Sequence, residues 1–83
     1  MTARTVTVDV RDHAGRAVAG ARVWFTRAPV ATADLAGLTG DDGRVVLGAP
    51  VAGDYEVCVV GDDATVTREV RVSRTAAHVT IVV

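Results

Sequence analysis

The chain has 83 residues, with nine arginines against ten aspartates and glutamates, so its charges nearly cancel and it has room for one small core. That balance removes the electrostatic basis for binding nucleic acid or an anionic membrane, and no apolar run reaches the ~18 residues of a membrane span. The one cysteine, Cys58, has no partner for an internal disulfide.

Along the chain the periodicity is that of β-structure. Val6, Val8 and Val10 alternate with Thr7, Asp9 and Arg11, the pattern of a strand with one buried face. Val23 and Phe25 share a face, opposite Arg22, Trp24 and Thr26. Ala28 to Gly37 reads as a loop, because Pro29 bars a central strand, and leads into a short strand near Leu35 to Thr39. Val45 and Leu47 resume the alternation. Tyr55, Val57 and Val59 then face in against Glu56, Cys58 and Val60. Val66, Val70 and Val72 follow, with Arg68 breaking the inward phase and marking a bulge or an edge. Val79, Ile81 and Val83 close the chain. Valine dominates because its branched Cβ suits the pleated, half-buried surface of a strand. Turn signals (DHAGR, GDDGR, APVAGD, GDDA) separate these runs and predict an antiparallel sandwich or barrel.

Three stretches carry a resemblance. Val8-Asp9-Val10 followed by Gly15-Arg16-Ala17-Val18-Ala19-Gly20-Ala21-Arg22-Val23 resembles the "V-x-D…G-x-P-V-x-G-A-x-V" opening of carboxypeptidase regulatory-like domains. Thr39-Gly40-Asp41-Asp42-Gly43-Arg44-Val45 is similar to that family's "T-D-x-D-G-x-F" turn, and Pro50-Val51-Ala52-Gly53-Asp54-Tyr55-Glu56-Val57 to its "L-P-x-G-x-Y-x-V" element. Ala17 replaces the usual Pro, and Val45 the commoner aromatic. The resemblance spans nearly the whole chain in order. It implies an all-β fold, a seven-stranded antiparallel Greek-key β-sandwich of Ig-like or prealbumin-like type, as one domain over residues 1–83. It also implies a non-catalytic accessory role without a cofactor.

The residues themselves offer little chemistry. Asp41-Asp42-Gly43 reads as a tight turn in which Asp side chains bond nearby N–H groups and Gly accepts positive φ. Tyr55 has the position of an inward aromatic whose hydroxyl reaches a loop backbone. In the implied sandwich, Asp12, Asp41, Asp42, Asp62 and Asp63 collect at one end, flanked by Arg16 and Arg44. Arg4, Arg27 and Arg74 fall at the other end, roughly 20 Å away for strands of about six residues. No loop has the EF-hand pattern, and His13 and His78 lack metal-ligand spacing, so no metal site is expected. Cys58 has no neighbouring base, Ser73 no nucleophile-elbow setting, and the C-terminal Thr80-Ile81-Val82-Val83 lacks the Tyr-Arg-Gly-Ser tail of transthyretin-related hydrolases. No catalytic residue is therefore assigned.

Arg22, Trp24, Val46, Val60 and Val82 fall on outward phases and form the expected protein-binding surface, for another subunit or a second copy. The functional expectation is a protein-protein interaction module or structural subunit. The alternative is a ligand-binding module taking calcium or carbohydrate at the acidic end. The start, MTARTVTVDV, has no signal-peptide pattern, which predicts a cytoplasmic protein if Met1 is the native start and an extracellular one if the chain is a fragment.

Overall fold

Each alternating valine run forms a strand. The computed structural model describes residues 4–30, 36–62, 64–73 and 76–83. Its strands are β1 (Arg4–Arg11), β2 (Arg22–Arg27), β3 (Gly37–Leu38), β4 (Arg44–Ala49), β5 (Gly53–Val60), β6 (Thr65–Val72) and β7 (Ala77–Val82). They build a three-stranded sheet in the order β4-β1-β7 and a four-stranded sheet in the order β3-β2-β5-β6. Leu35, expected in the third strand, lies outside the described residues.

The core lies between the sheets. Val6, Val8 and Val10 from β1 and Ile81 from β7 meet Val23, Tyr55, Val57, Val59 and Val72 from the other sheet, and all are essentially inaccessible. Phe25, Val45, Val66, Val79 and Val83 pack against this cluster but stay half-buried. Removing these apolar groups from water is the main force holding the sheets together. Tyr55 adds a directional tie: its Oη donates to the Val51 carbonyl at 2.6 Å and accepts the Val51 N–H at 3.3 Å. Its ring lies 4.7 Å from that of Phe25, centroid to centroid, in a tilted pair.

The expected all-antiparallel arrangement needs one correction: β1 and β7 are parallel, in register from Val6↔Ala77 to Arg11↔Val82. The reason is parity. Chain direction reverses at every connection, so odd strands run one way and even strands the other. Four of the five pairings join an odd strand to an even one and are antiparallel. Only β1 and β7 bring two odd strands side by side.

A second correction concerns irregularity. The β5–β6 ladder runs without a shift from Gly53↔Val72 to Val60↔Thr65, so Arg68 marks the edge of its sheet and not a bulge. The bulge falls in β2 instead, between Phe25 and Arg27, where Thr26 is the extra residue. Thr26 Oγ1 donates to Glu56 Oε1 at 2.7 Å, which ties the bulge to β5. Trp24 precedes the bulge and stays in register with Cys58.

Gly43 and Gly15 both have positive φ, +77° and +84°, yet their surroundings differ. A Cβ on Gly43 would sit 2.6 Å from the Val10 carbonyl oxygen, which is itself held by the Val18 N–H at 3.0 Å; one on Gly15 would meet nothing within 4 Å. Gly15→Ala should therefore cost about 1–2 kcal/mol, the penalty of the left-handed backbone alone, and Gly43→Ala clearly more. Urea unfolding of the two variants measures this. Equal losses would mean that backbone conformation, and not the close approach to β1, is what requires Gly43.

Candidate functional site

The connections 12–21 and 39–43 and the residues Gly61, Asp62 and Ala64 lie at the same end of the sandwich, as the registers Asp9↔Arg44 and Arg22↔Val60 require. Asp12 and Asp62 line one hollow there with Val18, Gly61, Ala64 and Val83. Arg4 and Arg27 stand at the opposite end. Asp63 and Arg74 lie outside the described residues.

The acidic side chains at this end serve their own loops. Asp12 Oδ1 accepts the N–H groups of Ala14 and Arg16, both at 2.9 Å, while Oδ2 meets Arg16 Nε at 3.1 Å. The Arg16 N–H foremost, helped by the Ala14 N–H and the Arg16 charge, holds the Asp12 carboxyl below the usual range against a smaller opposing effect of desolvation. Asp42 Oδ1 accepts the Arg44 N–H at 3.0 Å, and the Gly43 N–H donates to the Gly40 carbonyl at 2.9 Å, which closes the turn. Asp41 and Asp62 are exposed. Among the described residues no three His, Cys, Asp or Glu side chains converge to hold a metal ion.

The five residues of the expected partner surface divide between two faces. Arg22, Trp24 and Val60 lie on the outer face of the four-stranded sheet, where Arg22 pairs with Val60 and Trp24 with Cys58. Val46 and Val82 lie on the outer face of the three-stranded sheet, flanking β1 opposite Thr7 and Arg11. Alternation gives phase within a strand, but not which sheet the strand joins. Leu38 belongs with the first group. It pairs with Arg22 and, at 63% exposure, is the most exposed large apolar side chain among the described residues. Trp24 is half-buried and lines a shallow depression with Arg22, Phe25, Thr26 and Ala36.

Two polar residues matter more than their phase indicates. Asp9 faces outward on β1 yet is only 7% exposed, because Arg11 at 2.9 Å and Arg44 at 3.6 Å cover it. The Arg44 guanidinium thus lies against Asp9. Thr39 is buried: its Oγ1 donates to the Val18 carbonyl at 2.6 Å and accepts the Ala21 N–H at 2.9 Å. Cys58 is buried beside Trp24, and burial first, then the nearby Glu56 charge, pushes its thiol pKa up, away from thiolate chemistry.

No family model and no curated protein matches the chain. Among solved structures, the Bacillus anthracis TIE protein matches it with a TM-score of 0.69 at 16% sequence identity, over 98% of this chain and 16% of that one. The likeness is one of fold, and this chain spans about a sixth of that protein's length. No helix among the described residues is long and apolar enough to cross a membrane.

Burial alone would raise the Asp9 pKa from the ordinary 3.8, but Arg11 and Arg44, by hydrogen bond and charge, outweigh it and leave the pKa lowered. A carboxyl depressed on folding contributes stability that is complete above the unfolded pKa and is lost as pH falls through the folded one. Asp9→Asn should therefore lower stability at neutral pH, and the gap to the parent protein should narrow on acidification between about pH 5 and about pH 2. Chemical denaturation at stepped pH is the measurement. A gap that stays constant would show that Asp9 ionisation contributes nothing.

Proposed function

We propose that the chain is a non-catalytic module of the carboxypeptidase regulatory-like type, a prealbumin-like Greek-key sandwich that serves as a structural link or subunit in a larger assembly. The observation that carries this reading is the parallel pairing of the first and last strands. It makes the chain enter the body at one end and leave at the other, along a long axis of 36 Å against 19 and 18 Å across. A body threaded in this way adds length each time it is joined to a neighbour. The family-like residues point the same way, since Asp9, Thr39, Gly43 and Tyr55 are engaged in holding strands and loops. The match of the whole fold to a sixth of a longer protein is further support.

The partner surface in this reading is the outer face of the four-stranded sheet, where Leu38, Arg22, Trp24 and Val60 adjoin. The rival reading, a module binding calcium or carbohydrate through the acidic end, has less behind it. The Asp12 and Asp42 carboxylates already accept local N–H groups, and the aromatic rings lie elsewhere.

Two copies joined in tandem by a short linker test the proposal. Small-angle scattering should show the maximum dimension growing by about the 36 Å of the long axis or more, with each copy melting as the single chain does. Millimolar calcium should leave the melting temperature unchanged. A pair folded back on itself would overturn the link reading, and a calcium-dependent rise of several degrees would favour the rival.

A further inference from the structure

We propose that the β1–β7 ladder is a force-bearing clamp, loaded in shear when the chain is pulled at its two ends. The inference rests on the reading of the chain as a link. Tension reaches β1 at its start and β7 at its end, and these strands are direct neighbours running the same way. The load therefore passes from one to the other across their shared hydrogen bonds and along the strand axes. The evenly spaced bonds of a parallel ladder then share the load and must fail together.

The surroundings reinforce this ladder. Its register covers six pairs, from Val6↔Ala77 to Arg11↔Val82, and the Val83 N–H extends it by donating to the Arg11 carbonyl at 2.9 Å. On the inner face Val6, Val8, Val10 and Ile81 are fully buried, so water cannot reach the bonds from that side. On the outer face Asp9 is covered by Arg11 and by Arg44, which reaches it from β4. The outer side of β7, with His78, Thr80 and Val82, is exposed, so the shielding comes from the inner face and from the covered Asp9, and bonds shielded there are stronger and less readily exchanged for bonds to water. The other edge of β1 is held by β4 over six pairs, from Arg4↔Ala49 to Asp9↔Arg44, so β1 cannot slip without breaking two ladders.

The same strand offers a built-in comparison. Because β1 and β4 are antiparallel, Arg4 lies beside Ala49, and pulling the N-terminus away from residue 50 opens their ladder one pair at a time. Single-molecule pulling on the full chain can apply both geometries. One tether joins the two termini. The other joins the N-terminus to a thiol placed by Pro50→Cys, an exposed loop position, and both carry Cys58→Ala so that attachment is unique. Equal melting temperatures of the two forms establish that each is folded.

The end-to-end tether should unfold at a force at least about twofold higher than the N-terminus-to-50 tether at equal loading rate, since forced unfolding reports the barrier along the pulled direction. Equal forces would overturn the clamp. The scattering of the tandem pair tests the link separately. An extended pair with equal forces refutes the clamp alone; a folded-back pair with the force difference refutes the link and leaves the clamp standing.

Discussion

A small hydrogen-bonded knot at the end of β1 fixes how the two sheets sit on each other. Residues 12–21 and 39–43 are both crossings between sheets, from β1 to β2 and from β3 to β4. Thr39 joins them: its hydroxyl bonds Val18 and Ala21, while its backbone exchanges bonds with Gly20 and Ala21 at 2.9 and 3.0 Å. Val10 ties both crossings to β1, donating to the Gly43 carbonyl of the second at 2.7 Å and accepting the Val18 N–H of the first at 3.0 Å. The apolar core alone would tolerate some sliding of one valine surface over another, because burial has no direction. The knot does not. It sets where β1 stops against β4 and β2, and the registers of both sheets follow from that point.

Electrostatics plays a smaller and more local part. The Arg71–Asp54 and Arg16–Asp12 pairs are solvent-exposed and contribute little stability, Asp12 acting mainly through its bonds to backbone N–H groups. The Asp9 group differs because its carboxylate is covered and shared by two guanidinium groups. Its effect is to seal the outer face of a sheet only three strands wide, where aliphatic side chains would have left an apolar patch. Val46 and Val82 flank the seal and stay exposed, so the three-stranded face is mixed, and the larger apolar grouping lies around Leu38 and Trp24 on the other sheet.

What could be read from the sequence was what is decided locally. The inward phases of Val6–Val10, Tyr55–Val59 and Val70–Val72 follow from alternation, and the turn at Gly43 from its Asp-Asp-Gly context. Tyr55 reaching a loop backbone was legible for the same reason, because its partner Val51 is four residues away. Trp24 and Val46 have the same phase logic yet face opposite ways, since their sheets are chosen by pairing between distant segments. The parallel β1–β7 pair was hidden for the same reason. Leu38 escaped notice because a two-residue strand shows no period. The bulge at Thr26 has no local mark either, as neither Gly nor Pro stands there. Asp9 and Thr39 carry no local mark; in isolation they are ordinary strand and turn residues.

The strand edges bear on how such a unit behaves beside its own copies. An open edge offers unpaired N–H and C=O groups to any neighbouring chain, and linked copies meet at an effective concentration on the order of millimolar. Here β6, one edge of the four-stranded sheet, turns Arg68 toward the core side, where a second strand could not cover the charge without desolvating it. The opposite edge, β3, is two residues long, too short to template a stable pair. On the three-stranded sheet β4 begins with the ion-paired Arg44, and β7 exposes His78 and Thr80 on its outward phase. Each edge is thus short, charged or polar along part of its length. On the proposed reading as a link, such edges work against pairing between neighbouring copies, and the pairing of the first and last strands is then the place inside each unit where tension would be met.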